Sequence, residues 1–193
     1  MTGRRGYSVA IVGPDGAGKT TLSQGLRRAL AHRKVRQVKV SIHATNWAKG
    51  PTPLKWFVRS ALGAATLLRA RAAILRGEIV IWDRHPMEDR VLGVEGRSVL
   101  GTRRGWLARV APQPDVVVVL DAPVTVLADR NDEHGSEALG RLRRRYRDFA
   151  GIHGSHVVDT TATAPEVRDA VLAILERFEA DRDRRDGGPG RRP

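Results

Sequence analysis

The chain has 193 residues, 41% of them hydrophobic, with no cysteine and a formal charge of +13. That length buries one core and is short for two, and without cysteine there is neither a disulfide framework nor a thiolate metal site, which suits a reducing cytoplasm. The excess of arginine favours polyanionic partners, with a solvated arginine-rich surface as the alternative. No apolar run reaches the length of a membrane span, and Arg4 and Arg5 precede too few apolar residues for a secretory signal, so a soluble cytoplasmic protein is expected.

Tyr7 to Val12 reads as a buried strand that runs straight into Gly13-Pro14-Asp15-Gly16-Ala17-Gly18-Lys19-Thr20. This octet fits G-x-x-x-x-G-K-[ST] at every fixed position and is followed by Thr21. Such glycines let the backbone curl until successive N–H groups point at the phosphates of a nucleotide, and a helix opening at Thr20 adds its positive end. Lys19 is expected to be an exposed, mobile cation and Thr20 a hydroxyl ligand for Mg²⁺. Gly13, Pro14, Asp15, Gly16, Ala17, Gly18, Lys19, Thr20 and Thr21 are therefore the candidate phosphate-binding residues.

Leu22, Leu26, Ala29 and Leu30 recur at helical spacing as far as His32. Val35 to Ile42 reads as a second strand, and a Gly/Pro-containing loop runs from His43 to Pro53. Thr52-Pro53 opens a long helix whose apolar face includes Leu54, Ala61, Leu68 and Leu75, and which stops at Gly77. Glu78 to Trp82 forms the third strand and delivers Asp83 at its end. From His85 to Pro112 glycines interrupt every period, and mixed helix and loop is expected. Val116 to Leu120, apolar on both faces, ends at Asp121, and Pro123 to Arg130 reads as a short helix.

After a polar break, the helix from Ser136 to Ala150 sets Leu139, Leu142, Tyr146 and Phe149 on one face and Arg141, Arg144 and Arg145 on the other. His156 to Val158 is the last strand. Thr163-Ala164-Pro165-Glu166 is a capping box opening a helix with Val167, Val171, Ile174, Leu175 and Phe178 inward. Residues 1–180 are expected to form one P-loop domain, with 181–193 a disordered charged tail. Strands alternating with helices predict an α/β three-layer sandwich: a parallel sheet of about five strands, covered on both faces, with its ligand at the strands' C-terminal ends.

A kinase, a GTPase, a motor ATPase and a nucleic-acid-processing enzyme all use such a loop. The Asn-Lys-x-Asp guanine reader of a GTPase is absent. Asp83 and Asp121 each follow an apolar strand and compete as the metal-ordering aspartate. Asp83 is followed at once by Arg84 and His85, and an acid, a fork of donors and an imidazole at the sheet edge suit an anionic acceptor better than a motor.

Here the chain resembles the thymidylate kinase-like group of P-loop kinases. The resemblance is carried by Gly13 to Thr21 in the form G-x-D-G-A-G-K-T-T, by Gly77 to His85 ending in D-R-H, by Leu120-Asp121-Ala122-Pro123 followed by Arg130, and by the arginine-rich helix from Glu137 to Tyr146. It spans most of residues 7–178, the first two motifs being the specific ones. It implies transfer of the γ-phosphoryl group of ATP, with Mg²⁺, to a second substrate. It also implies that Asp15 faces the acceptor, that Asp83 and Arg84 order the acceptor phosphate and the metal's water, and that Arg130, with Arg141 behind it, belongs to a lid over ATP. Each position keeps another reading: Asp15 as a loop cap, Asp83 as a strand-end turn residue, Arg130 as a charge on a helix C-terminus, His85 as packing.

The chain departs from that pattern in two segments, and its lid is also abbreviated. The group's usual Arg-Glu-Pro-Gly-Gly segment is replaced by His43-Ala44-Thr45-Asn46-Trp47-Ala48-Lys49-Gly50, and its base-reading stretch by Pro86-Met87-Glu88-Asp89-Arg90. The resulting reading is an ATP-dependent kinase of a small, phosphorylated acceptor, with a nucleoside monophosphate, dTMP first, as that acceptor. The alternatives are a same-fold kinase of a hydroxyl on a nucleoside, sugar or other metabolite, and more remotely a nucleic-acid-associated ATPase. The last is disfavoured because aromatics are only 5% of the chain and no stacking platform is visible. A homodimer is left open.

Overall fold

The computed structural model describes residues 5–39, 52–88, 110–130 and 135–186. In chain order these form β1 (Tyr7–Val12), α1 (Lys19–Ala29), β2 (Val35–Lys39), α2 (Thr52–Leu75), β3 (Ile79–Asp83), β4 (Val116–Asp121), α3 (Val124–Arg130), α4 (Ser136–His153), β5 (His156–Asp159) and α5 (Ala164–Asp186). The five strands make one sheet in the order β2-β3-β1-β4-β5, and every pairing is parallel. The expected three-layer α/β sandwich is the observed one. The second strand ends at Lys39 within the described residues, and most of the stretch expected as mixed helix and loop, 89–109, lies outside them.

The period of two along β1 divides the core. Tyr7, Val9 and Ile11 pack with Leu22 and Leu26 of α1 and Val167, Val171 and Leu175 of α5. Ala10 and Val12 turn the other way, toward Leu67, Ala70 and Ala73 of α2 and Tyr146, Phe149 and Ala150 of α4. A strand buried on both faces reads as a near-continuous apolar run, and β1 does so apart from Ser8, whose N–H and hydroxyl donate to Asp115, and β3 as far as Asp83. Truncating a fully buried anchor such as Leu26 to alanine costs on the order of 2–5 kcal/mol in such cores.

The helix ends follow the sequence signals. At α2 the Glu78 N–H donates to Ala73 O at 3.0 Å across Gly77, closing the last turn where the stop was expected. At α5 the Thr163 N–H donates to Glu166 Oε2 at 2.9 Å, the carboxylate half of a capping box, and the Thr163 hydroxyl donates to the same oxygen at 2.7 Å.

One expectation is corrected. Residues 181–186, placed in a disordered tail, continue α5. Their charge is used: Arg182 Nη2 donates to Arg5 O at 2.9 Å, and its guanidinium lies over the rings of Tyr7 and Phe178 at 5.4 and 5.6 Å. Residues 187–193 lie outside the described residues.

The parallel sheet directs β1, β3, β4 and β5 to one edge. The loop after β1, Asp83, Asp121 and Asp159 all stand there. Among the described residues no helix is long and apolar enough to cross a membrane.

Candidate active site

The loop between β1 and α1 is shaped by glycines at positive φ, two of which show different reasons for glycine. Gly13 has φ 149°, and a Cβ there would meet Leu120 O at 2.6 Å. Gly18 has φ 86°, and a Cβ there would enter open space, so its backbone conformation and not crowding favours glycine. Gly18 is also the N-cap of α1, where no side chain caps the helix and no acidic residue lies in the first turn. The first N–H groups of α1 are thus left to donate to an anion, whereas at the start of α5 the Thr163 N–H donates to the Glu166 carboxylate.

Lys19 departs from its expected exposure. It is only 7% exposed, and its Nζ donates to Gly13 O and Pro14 O, both at 2.7 Å, with Asp15 Oδ1 3.3 Å away. Burial lowers the ammonium's pKa from its ordinary value, with Asp15 opposing the shift.

Asp15 is bridged from the other side by Arg84, whose Nη2 donates to the same Oδ1 at 2.5 Å. Burial pushes the Asp15 carboxyl up, but the Lys19 and Arg84 cations outweigh it and hold the pKa below the ordinary value. Asp15 therefore ties the loop to the end of β3. Among the described residues Arg84 is the only non-glycine with positive φ, at 72°. A bulky residue held there stores on the order of 1–3 kcal/mol of backbone strain, a feature that clusters at functional sites.

The two strand-end aspartates have different partners. Asp83, 2% exposed, accepts the Thr20 hydroxyl on Oδ2 at 3.3 Å, which sets the phosphate loop's own hydroxyl against a carboxylate. Asp121 is clamped by Arg143, with Nε on Oδ1 at 2.6 Å and Nη2 on Oδ2 at 2.9 Å. That bidentate pair makes Asp121 a strut between β4 and α4.

Among the described residues no cluster of three or more His, Asp or Glu could hold a metal alone. The oxygen pair of Thr20 and Asp83 instead fits Mg²⁺, which takes one or two protein oxygens and completes its shell with phosphates and water.

Arg130 closes the last turn of α3 and donates from Nη2 to Thr160 O at 3.1 Å. It lines a cavity of about 370 Å³ together with Gly16, Ala17, Gly18, Thr21 and Ala162. Its helix-end position and its place beside the loop are one arrangement. Arg141, the weaker lid candidate, pairs at 2.5 Å with Glu137 on the solvated face of α4. His85 packs: it is buried, edge-on to Trp82 at 4.9 Å, and its Nδ1 accepts the Met87 N–H at 3.1 Å. The replaced segment 43–50 and residues 89–90 lie outside the described residues.

Sequence reasoning passed over three residues here. Arg143 went unnoticed inside an arginine run. Tyr146 was read only as part of an apolar stripe, although its hydroxyl donates to Glu88 Oε1 at 3.1 Å. Glu88 itself was seen only as part of a replaced segment.

A central strand that ends in a phosphate loop with an uncapped helix behind it, within a 2-3-1-4-5 parallel sheet, defines a P-loop α/β fold. No family model matches the chain. A thymidylate kinase of Xanthomonas oryzae pv. oryzae is 35% identical over 95% of this chain and 89% of its own length. A second, from Xanthomonas campestris pv. campestris, is 31% identical over 92% of this chain and 86% of its own. A probable thymidylate kinase 1 of Saccharolobus solfataricus is 25% identical over 88% and 96%. The crystal structure of thymidylate kinase from Ehrlichia chaffeensis shares the fold, with a TM-score of 0.64 at 18% identity, covering 89% of this chain and 99% of that one. The chain belongs to the thymidylate kinase family, and it is an ATP-dependent phosphotransferase.

Proposed function

We propose that the protein transfers the γ-phosphoryl group of Mg·ATP to the phosphate of a nucleoside monophosphate, with dTMP the first candidate. The observation that carries this is the convergence of Lys19, Asp15 and Arg84 on one phosphate loop, in a chain 35% identical to a thymidylate kinase. The loop N–H groups from Asp15 to Thr21 and the Lys19 ammonium hold the β- and γ-phosphates. The cavity beside Arg130 takes the adenosine, and the Arg130 guanidinium covers it. Thr20 and Asp83 hold the metal ion, which supplies charge neutralisation on the phosphates when bound.

On the acceptor side the Arg84 guanidinium, already oriented by Asp15, binds the acceptor phosphate. One of that phosphate's oxygens bonds to the γ-phosphorus as the bond to the bridging β–γ oxygen breaks, giving a nucleoside diphosphate and ADP. Lys19 and Arg84 hold the negative charge on the transferring group in place.

ADP release should be screened over nucleoside monophosphates, nucleosides and sugars, with ³¹P NMR on the products. Stimulation by dTMP or dUMP with a diphosphate product is the expected result. A response confined to unphosphorylated hydroxyl compounds would replace the acceptor assignment, and hydrolysis stimulated by DNA with a steep salt slope would replace the kinase reading. Proposed also are a cytoplasmic location and a homodimer built on α2, where Leu62, Leu68 and Leu75 are 57, 68 and 78% exposed. Light scattering at low and high protein concentration tests the dimer.

A further inference from the structure

Glu88 is a buried carboxylate placed against the phosphate loop. It is 4% exposed, in the turn that its own N–H closes by donating to His85 O at 2.9 Å. The Tyr146 hydroxyl reaches it from α4 at 3.1 Å, and the Gly13 N–H faces the same carboxyl from the loop. Lys19 faces it from α1 and Arg84 from the end of β3, with Asp15 on the far side of both cations. Glu88 thus joins the phosphate loop, the end of β3 and α4.

We propose that Glu88 is a positioning residue for phosphoryl transfer, which holds Lys19 and Arg84 in place and takes up a proton when nucleotide phosphates reach those cations. The inference rests on the kinase reading above. Its basis is the charge balance of the cluster. Lys19 and Arg84 are offset by Asp15 and an ionised Glu88, so incoming phosphates compete with both carboxylates for the same two cations. Asp15 is held ionised by direct contact with both. Glu88 is the more easily neutralised partner, because burial pushes its pKa up to about 7, with Lys19, Arg84, Tyr146 and the Gly13 N–H pulling the other way. One proton moves from solvent to the Glu88 carboxylate, which then stays in place as a neutral hydrogen-bonding group.

Linkage gives the direction. Binding that takes up a proton weakens as pH rises above the free group's pKa, by up to about tenfold per pH unit, and is insensitive below it, where Glu88 already carries the proton.

The test is calorimetric titration of ADP into the full chain at about pH 8 in two buffers of different ionisation enthalpy, followed by an affinity profile from about pH 6.5 to 9. The wild type is expected to take up as much as about one proton per ADP, and Glu88→Gln to take up none and lose the alkaline fall in affinity. Tyr146→Phe keeps the carboxyl but removes a donor that favours its charge, so its fall should begin at higher pH; it carries the test if Glu88→Gln does not fold. In turnover, Glu88→Ala should lose at least about tenfold in kcat/KM, with Glu88→Gln restoring most of it below about pH 7. Proton uptake that persists in Glu88→Gln, or a wild-type affinity flat across the range, would overturn the proposal. A wild type that does not bind ADP at all would overturn the kinase reading and this inference with it.

Discussion

Arg84 and Asp15, 69 positions apart, are joined by a 2.5 Å hydrogen bond between Nη2 and Oδ1, and Arg84 holds this contact from a backbone at φ 72°. The contact and the strain can be separated by substitution. Arg84→Ala and Arg84→Gly both remove the guanidinium and should raise the acceptor KM by at least about tenfold. Only glycine also removes the penalty for positive φ, so Arg84→Gly should be more stable than Arg84→Ala by about 1 kcal/mol. Denaturant melts of the two variants give that difference directly. Equal stabilities would mean that the conformation at position 84 carries no strain.

Lys19→Ala should lower turnover by at least about a hundredfold, since it removes a preorganised cation from the transferring phosphate. Its burial adds a second consequence that an exposed lysine would not have. Pro14 O keeps the Ala17 N–H at 3.2 Å, but Gly13 O loses its Lys19 donor, at about 1–3 kcal/mol. Thermal melts and ADP release on the same sample check both parts.

The parts of this site that were legible in the sequence are those fixed by local rules. The loop glycines, Asp83 after an apolar strand and the Thr163–Glu166 box each need only their immediate neighbours, and each lies where the spacing put it. The end of α5 was misjudged because its last turns carry charge instead of an apolar stripe. They are held by Arg182 against Arg5 O and the Tyr7 ring, contacts that no window of sequence contains. Tyr146 and Glu88 lie 58 positions apart, and a phenol in an apolar stripe shows nothing of the partner its hydroxyl will find. Arg143 was hidden for the opposite reason: it is one arginine in a run whose members Arg141 and Arg144 are solvated.

The two strand-end aspartates should give opposite phenotypes. Asp83→Asn should cut kcat much more than it weakens ATP binding and should raise the Mg²⁺ concentration needed for half-maximal rate, because the carboxylate paired with Thr20 is the one proposed to hold the metal. Asp121→Asn should leave kcat within about threefold of wild type and cost about 1–2 kcal/mol of stability instead, less than a fully buried pair because the Arg143 side chain is 27% exposed. Steady-state kinetics beside urea melts decide it. A kinetic defect in Asp121→Asn as large as that in Asp83→Asn would reverse the assignment.

Glu88 should also be visible in the pH dependence of folding. Burial lifts its pKa from 4.5 to about 7, so between those values the native state holds a proton that the unfolded chain has released. The contribution of this group is therefore fully present below about pH 4.5, falls as pH rises toward about 7, and is level above it. A shift of that size corresponds to about 3 kcal/mol. Glu88→Gln cannot titrate, so its stability relative to wild type should improve by about that amount between acid and neutral pH, whatever its absolute stability. The depressed Asp15 carboxyl acts in the opposite sense, with stability present above its unfolded pKa and lost in acid, but both proteins contain it and the difference between them is unaffected. Urea melts of wild type and Glu88→Gln at about pH 4.5, 6 and 7.5 provide the comparison. Parallel stability curves would show that Glu88 titrates near its ordinary value, and would remove the electrostatic basis for proton uptake on nucleotide binding.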